Sequence, residues 1–189
     1  MQQKKQPKLI AAIVSGGQTG ADRAGLDAAL AAGLSHGGWC PRGRLAEDGV
    51  IPRRYHLEEL EEPDYAARTK RNVADSDATL IFTFGPAVGG SAATIGYAIR
   101  LQRPWLHLDL ARQSKEEAVA KRIVEWLKKT PRQPALWRRQ AAKGDRTLPG
   151  QAHPVGPGLI VNIAGSRASG APEIYSRVRA ILENILRED

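Results

Sequence analysis

The sequence Ile13-Val14-Ser15-Gly16-Gly17-Gln18-Thr19-Gly20-Ala21-Asp22-Arg23 joins an apolar run to the start of a helical pattern. The apolar run begins at Leu9 and is typical of a buried parallel strand. Two glycines end it, and a turn leads into the helix. This order builds anion sites in α/β folds, because free N–H groups of the first helical turn point at whatever lies above the loop.

The same stretch also admits a purely structural interpretation. It is not Gly-x-Gly-x-x-Gly, and it lacks the Lys-Ser/Thr ending of a P-loop. A turn that needs glycine only for its geometry would look similar. Thr19, followed three residues later by Asp22, resembles a capping box with Thr19 as the N-cap. In that role Asp22 would repel phosphate, and Arg23 would restore the charge balance.

The composition is that of one globular domain, with 189 residues, 42% of them hydrophobic and 25% charged. Cys40 is the sole cysteine, so no disulfide forms within the chain, and we expect a small buried hydrophobe there. The basic N-terminal segment lacks the apolar run of a signal peptide, and no stretch suits a membrane span. We therefore expect a cytoplasmic protein, whose net charge of +8 attracts anions such as nucleotides, phosphorylated cofactors or nucleic acid.

Strand and helix patterns alternate five times along the chain. The predicted strands are Leu9–Ser15, His36–Cys40, Ala78–Phe84, Trp105–Leu110 and Leu159–Ala164. The predicted helices are Ala21–Ala32, Tyr65–Ala74 capped by Asp64, Ala92–Leu101 capped by Ser91, one from the Ser114 cap to Lys128, and one after Pro172. The alternation predicts an α/β fold, a doubly wound parallel sheet of about five or more strands with helices on both faces.

Two helices show apolar stripes that predict which side is buried. In the first helix, Leu26, Leu30 and Leu34 recur every four residues, Gly33 ends the helix, and Asp27 falls off the stripe and is expected to be exposed. The last helix is predicted to pack one face, formed by Ile174, Val178, Ile181 or Leu182, and Ile185.

Three glycine-containing loops follow predicted strands, at Gly16–Asp22, Gly85–Thr94 and Gly165–Gly170. Since ligands of such sheets bind beyond the carboxyl ends of the strands, we expect the loops to converge on one crevice. The strand residues His107 and Asp109 share a face and form a conceivable catalytic pair, although a hydrogen-bonded core histidine is the commoner case.

The domain organisation follows from composition. We expect a disordered tail at residues 1–8 and a single domain at 9–189. A basic segment rich in proline and glycine, at about 129–157, interrupts the fold as an insertion and includes a possible helical turn at Leu136–Arg139. A solvated loop is the preferred interpretation of this insertion, and nucleic-acid contact through Trp137 and its basic neighbours is the alternative.

Several motifs, in order along nearly the whole chain, resemble the family of putative molybdenum carriers. They are Ser15–Ala24, His36–Pro41, Ala46–Gly49, Asn72–Thr79, Gly89–Ser91, Pro104–Asp109 and Val161–Arg167. That family belongs to the Rossmann-like group that also holds the lysine-decarboxylase-like, cytokinin-activating phosphoribohydrolases. The resemblance implies a Rossmann-like carrier of molybdenum cofactor, whose pterin bears a phosphate, and members that assemble into oligomers.

One departure from the related hydrolases bears on catalysis. They use Pro-Gly-Gly-x-Gly-Thr-x-x-Glu, and this chain has Val88 to Gly96 in its place, with Gly96 where the catalytic glutamate would stand. Loss of that acid removes the obvious general acid or base, whereas the glycines that shape a phosphate pocket remain. Ser91 keeps the hydroxyl that carrier proteins usually supply as threonine. The resemblance therefore implies binding without turnover, and no catalytic residue is predicted.

The resulting hypothesis is a non-catalytic binder of molybdenum cofactor or a nucleotide, without a directly bound metal. The predicted binding residues are Gly16, Gly17, Gln18, Thr19, Gly20, Asp22, Arg23, Arg68, Gly89, Gly90, Ser91 and Thr94. The predicted partners are further copies of the chain, as a dimer or tetramer, and molybdoenzymes; neither a membrane nor nucleic acid is favoured. The alternative is a nucleoside-monophosphate phosphoribohydrolase-like enzyme, which would need another acid, with Asp22, Glu47 and Asp75 as candidates. Nucleic-acid binding through the insertion is a weaker alternative.

Overall fold

The fold is built on a parallel sheet with helices on both faces. The computed structural model describes residues 8–61, 65–113, 115–133, 147–151 and 155–188. In chain order the strands are β1 (Ile10–Val14), β2 (Ser35–Gly37), β3 (Trp39–Cys40), β4 (Leu45–Ala46), β5 (Gly49–Val50), β6 (Glu58–Glu59), β7 (Ala78–Thr83), β8 (Trp105–Asp109) and β9 (Leu159–Gly165). The helices are α1 (Ala21–Ala31), α2 (Tyr65–Ala74), α3 (Gly89–Arg100), α4 (Glu116–Lys128) and α5 (Ile174–Glu188).

The main sheet has the strand order β2-β1-β9-β7-β8, and all its pairings are parallel. Helices α1 and α4 pack on α5 over one face, and α2 packs on α3 over the other. The predicted α/β, Rossmann-like fold is thus confirmed. β9, the last strand of the chain, lies at the centre of the sheet, where its first five residues are all buried. An apolar run such as Leu159–Ile163 suits that place, since a central parallel strand is covered on both faces.

Both predicted apolar stripes are confirmed, except at one leucine of the first helix. Ile174, Val178, Ile181, Leu182 and Ile185 are all buried in the core. In α1, Leu26 and Leu34 are buried, but Leu30 is 39% exposed, so the predicted stripe is wrong at that position. Gly33 has a φ of 61° and ends the helix as expected.

Asp27 is not the exposed residue that was expected. Its side chain is 14% exposed, and its carboxylate accepts hydrogen bonds from the hydroxyls of Tyr55 (2.9 Å) and Tyr175 (2.8 Å). The carboxylate also pairs with Arg54 at 3.3 Å. Position on a helical wheel cannot reveal such partners, because they come from distant segments.

Two predicted boundaries are wrong for local reasons. The strand expected at His36–Cys40 is split at Gly38, whose φ of 130° turns the chain toward β6. Helix α3 begins at Gly89 rather than Ala92, because the N–H groups of Ser91 and Ala92 both bond the Val88 carbonyl and close the first turn there. Ser91 therefore lies inside the helix and is not its N-cap.

Some predictions fall outside the described residues. They are the tail at 1–7, the caps Asp64 and Ser114, and most of the basic insertion, including Leu136–Arg139. Within the described ranges, none of the helices combines the length and the apolar character that a bilayer crossing requires. Cys40 is buried as predicted, and burial raises the pKa of its thiol to about 11.

Asp77 ties the start of β7 to β9. Its N–H donates to the Ile160 carbonyl, and its two carboxylate oxygens accept the N–H groups of Ile160 and Gln133, all at 2.7 Å. We expect Asp77→Ala to lower the free energy of unfolding by about 1–3 kcal/mol, because it leaves the buried Ile160 amide without an acceptor. Asp77→Asn should lose less, since its amide oxygen still accepts one hydrogen bond. Urea unfolding followed by circular dichroism measures both, with the exposed Asp48→Ala as the control; wild-type stability of Asp77→Ala would contradict this prediction.

Candidate functional site

A cavity of about 70 Å³ lies at the carboxyl edge of the sheet, where β1, β9 and β7 end side by side. All three predicted glycine loops contribute to its wall, so their expected convergence on one crevice is confirmed. The residues predicted to bind a ligand that line the wall are Gly16, Gln18, Asp22, Arg68, Gly90, Ser91 and Thr94. Gly17, Thr19, Gly20, Arg23 and Gly89 lie outside it. That the lining residues bind a ligand stays a prediction.

The sequence analysis missed part of the wall. It also contains Thr69, Asn72, residues 162–165 and Arg167. Thr69 and Asn72 are one and four positions after Arg68 on α2, so helical periodicity from Arg68 could have found Asn72. Arg167 lies in the third predicted glycine loop, and its positive charge in that loop is the signal that could have identified it.

The first glycine loop does not offer the free amides that were expected of it. The Gln18 N–H donates to the Asp22 carboxylate (3.2 Å), the Ala21 N–H to the Ser166 carbonyl (3.2 Å), and the Gly17 N–H to the Ser15 hydroxyl (3.4 Å). Three of the amides between Gly17 and Ala21 are therefore used within the protein. These three amides are therefore not available to a phosphate, and that the loop holds phosphate stays a prediction for the other two.

The capping prediction at Thr19 is also wrong. Gly20 is the N-cap of α1, and no side chain caps it. Its φ of 76° and its close approach to the Ser166 carbonyl, 2.4 Å from where a Cβ would stand, explain the need for glycine. The Thr19 hydroxyl instead donates to Glu47 and accepts the Ala168 N–H (3.2 Å). Thr19 thus joins the first loop to the third.

A hairpin formed by β4 and β5 is fastened over the first loop. Arg23 donates from Nε to the Gly17 carbonyl (2.8 Å) and makes a bidentate pair with Asp48 at 2.9 and 3.0 Å. The Gln18 side chain donates to the Leu45 carbonyl (3.4 Å) and accepts the Glu47 N–H (3.2 Å). The charge of Arg23 is therefore neutralised outside the cavity, contrary to the role expected for it.

The second glycine loop is the open one. The N–H groups of Gly89 and Gly90 have no hydrogen-bond acceptor among the described residues, and a Cβ on either would meet no atom within 4 Å. Ser91 lines the cavity beside them, and the Thr94 hydroxyl donates to the Gly90 carbonyl (2.9 Å). The N-terminus of α3 thus has free donors next to the cavity, where an anion is favoured.

Arg68 supplies a buried positive charge. The residue is 9% exposed, and its Nη1 donates to the Gly16 carbonyl (3.0 Å) and lies 3.9 Å from an Asp22 oxygen. Its Nε has no acceptor among the described residues. The guanidinium lies against Gly16, where a Cβ would come within 2.3 Å of Nη1, so this glycine makes room for it. A buried N–H without an acceptor calls for an explanation, and a ligand oxygen would supply one.

Asp22 places a carboxylate in the same wall. Burial raises its pKa above the ordinary value; Arg68, the Gln18 amide, the Ser15 hydroxyl and Arg167 act in the opposite direction. Gly96, where the related hydrolases have their acid, does not line the cavity. The wall therefore contains one carboxyl group, contributed by a different element from the one used in those enzymes.

The other candidate acids lie elsewhere. Glu47 is exposed, and hydrogen bonds from the Thr19 and Ser169 hydroxyls hold its pKa below the ordinary value. Asp75 is buried and accepts a hydrogen bond from Trp39 Nε1 (2.6 Å). Neither lines the cavity. Among the described residues no group of three or more His, Cys, Asp or Glu side chains is placed to hold a metal ion.

The conceivable pair of His107 and Asp109 also lies outside the wall. His107 Nε2 is 2.7 Å from the Thr83 hydroxyl, whereas Asp109 accepts the Gly85 N–H (2.8 Å) and pairs with Arg112 (3.3 Å). Each side chain thus forms a hydrogen bond at or just after the carboxyl end of β7.

An aromatic side chain stands beside the two arginines of the wall. Tyr65 is 44% exposed, and the guanidinium carbons of Arg68 and Arg167 lie 5.6 and 5.9 Å from the centre of its ring. Arg167 is exposed and has no carboxylate within ion-pair distance among the described residues. The rim therefore offers a cation and an aromatic surface together.

The comparisons with known proteins agree with this architecture. The family model described as circularly permutated YpsA, a SLOG family, matches residues 13–134. The crystal structure of a putative molybdenum carrier protein from Syntrophus aciditrophicus SB is 41% identical, with a TM-score of 0.78 over 96% of this chain and 98% of that one. The chain belongs to the circularly permutated YpsA family. The resemblance to putative molybdenum carriers is confirmed, and no curated protein matches the sequence.

The matched region places the cavity in relation to the family. Residues 13–134 of this YpsA-family chain run from β1 to just beyond α4, and they include the first two loops and α2. Gly165 and Arg167, which also line the cavity, lie beyond that region. The carrier structure matches 96% of this chain, a larger share than the family model does.

Proposed function

We propose that this protein is a non-catalytic carrier that binds a phosphorylated small molecule, either molybdenum cofactor or a nucleotide. The observation that carries the proposal is the unpaired Nε–H of the buried Arg68, in a wall that also contains Gly90 and Ser91. A phosphate oxygen would accept from Arg68 and from the free amides at the start of α3, and charge-assisted hydrogen bonds of this kind are strong. The carrier name of the similar crystal structure supports the same role.

The size of the cavity limits which part of the ligand it encloses. Pockets that enclose whole ligands have volumes of about 300–1,000 Å³, and this cavity has about 70 Å³. We infer that it takes the phosphate group alone. The donors present fit the phosphate of molybdenum cofactor, so the pterin and its metal would lie outside, toward Tyr65 and Arg167.

Assembly and partners belong to the same proposal. We propose a cytoplasmic homo-oligomer, a dimer or tetramer, that delivers its ligand to molybdoenzymes, because the family resemblance implies oligomers and a carrier needs a recipient. Apolar side chains are exposed just before α3, near its end and at the start of β8, namely Val88, Ile99 and Trp105, and they support an oligomer interface.

A second candidate function is favoured by one observation. Asp22 is a buried carboxyl group with a raised pKa in the wall of an anion cavity, which is the setting of many general acids. Hydrolysis of a nucleoside monophosphate through Asp22 is therefore the alternative to simple binding.

We expect Arg68→Gln to weaken binding of inorganic sulfate and of AMP by about 10- to 100-fold, because a charge-assisted hydrogen bond contributes about 1.5–3 kcal/mol. Arg71→Gln is the matched control, since Arg71 lies on the same helix but stacks on Trp39, 4.8 Å away, outside the cavity. Isothermal titration calorimetry measures both, and thermal unfolding checks that each variant folds. Equal affinity of wild type and Arg68→Gln would contradict the site, and a wild type that binds no phosphorylated ligand would contradict the carrier function.

Removal of the Tyr65 ring should weaken binding of the aromatic ring of a ligand without affecting binding of its phosphate. We expect Tyr65→Ala to weaken AMP binding by about tenfold and to leave sulfate binding unchanged, because stacking contributes about 1–3 kcal/mol per base. Tyr65→Phe keeps the ring and should bind AMP like wild type. A parallel loss of AMP and sulfate binding would show that Tyr65 supports the cavity instead of contacting the ring.

The two candidate functions differ in turnover. For a carrier we expect no free adenine when folded protein is incubated with AMP and the products are separated by chromatography. Adenine release that is abolished in Asp22→Asn, while AMP binding is retained, would establish the hydrolase instead.

A further inference from the structure

Asp22 is a negative charge in a cavity that otherwise attracts anions. The residue is 8% exposed, and its carboxylate accepts the Gln18 N–H at 3.2 Å and lies 3.9 Å from Arg68 Nη1. That Arg68 nitrogen already donates to the Gly16 carbonyl at 3.0 Å, so the ion pair is long and incomplete. An anion that enters the cavity would share a wall with this carboxylate.

The charged groups around Asp22 come from two elements. Arg68 faces it from α2, and Arg167 acts on it from the loop after β9. On its own helix, Arg23 is directed to the Gly17 carbonyl and Asp48. The parts of α3 and β9 in the wall contribute hydroxyl, amide and apolar groups. With Asp22 ionised, the two arginines leave one net positive charge in the cavity; with Asp22 protonated, they leave two.

We propose that Asp22 takes up a proton when a doubly charged anion enters the cavity and so couples anion binding to pH. The inference rests on the proposed function and deepens it, since it makes the binding of dianions such as phosphate monoesters dependent on pH. A like charge nearby disfavours the ionised carboxylate, and only the protonated form leaves two positive charges for a dianion. The burial that already raises the pKa of Asp22 acts in the same direction.

The sign of the pH dependence follows from linkage. Because the bound anion raises the pKa of Asp22, affinity is highest below the pKa of the free protein. It falls by up to about tenfold per pH unit as the pH rises toward the pKa of the complex, and then becomes constant. A carrier with this property holds its ligand at lower pH and releases it more readily at higher pH.

Sulfate is the probe, because it stays doubly charged between pH 5 and pH 9 while phosphate itself titrates. Calorimetric titrations of the full chain, in pairs of buffers with different ionisation enthalpies, give the number of protons taken up per sulfate. We expect wild type to take up as much as one proton per sulfate. Asp22→Asn, which keeps an acceptor for the Gln18 amide, should lose that uptake and bind sulfate at least about tenfold more tightly at pH 8.

Asp48→Asn is the matched control, since it removes the same charge beside the same loop but outside the cavity. It should retain the wild-type proton uptake. Both variants keep every histidine of the chain, so the difference between them isolates Asp22. If Asp22→Asn does not fold, the carboxyl ¹³C shift of Asp22 in the wild type, recorded with and without sulfate, reports the same protonation.

The outcomes are distinct. Sulfate binding with identical affinity and proton uptake in wild type and Asp22→Asn at every pH, or an unchanged Asp22 carboxyl shift, would overturn this inference and leave the carrier proposal standing. If neither wild type nor Asp22→Asn binds sulfate, AMP or another phosphorylated ligand, both this inference and the carrier proposal are overturned.

Discussion

The pairing of β9 with β1 on one side and β7 on the other determines where every part of the candidate site lies. Parallel pairing brings the carboxyl ends of the three strands to one edge, so that three loops distant in sequence meet there. Two close approaches then fix the ends of these elements: Gly20 of the first loop against the Ser166 carbonyl of the third, and Gly165 at the end of β9 against the Phe82 carbonyl of β7. Each leaves no room for a Cβ, so these two glycines serve close backbone contact as well as turn geometry.

The three loops differ in the hydrogen-bond donors and charge that they offer to the cavity. The first makes mostly internal contacts, since Asp22, Ser166 and Ser15 accept three of its amides and the β4–β5 hairpin is bound to Gln18 and Arg23. The second keeps the free amides of Gly89 and Gly90, and the third adds Arg167. The loop with the most recognisable glycine pattern is therefore the scaffold, and the less conspicuous one offers open donors.

Sequence predicts the elements of this fold well, because burial on both faces of a parallel strand and on one face of α5 leaves clear apolar patterns. It does not predict that β9 lies between β1 and β7, because strand order depends on long-range packing that no local pattern encodes. The sequence does predict Asp22 and Arg68 among the site residues, and both line the cavity. Arg167, Thr69 and Asn162 were not, because a single polar residue carries no periodic signal. Thr19 and Arg23 were given the wrong contacts, since Glu47 and Asp48 approach from a hairpin whose position depends on tertiary structure.

The electrostatics of the wall support the proposal that an anion binds in the cavity. Burial of a charge costs several kcal/mol, even after relaxation, whereas attraction across the 3.9 Å between Arg68 and Asp22 returns only about 4 kcal/mol at a protein-like dielectric constant. The attraction between Arg68 and Asp22 therefore offsets only part of the free-energy cost of burying both groups. The unpaired Nε of Arg68 adds to that cost. A structure selected for stability alone would place an apolar pair here, since such replacements are often neutral or stabilising. The proposed anion would account for this arrangement, because it would accept hydrogen bonds from the incompletely paired arginine and from the free helix amides beside it.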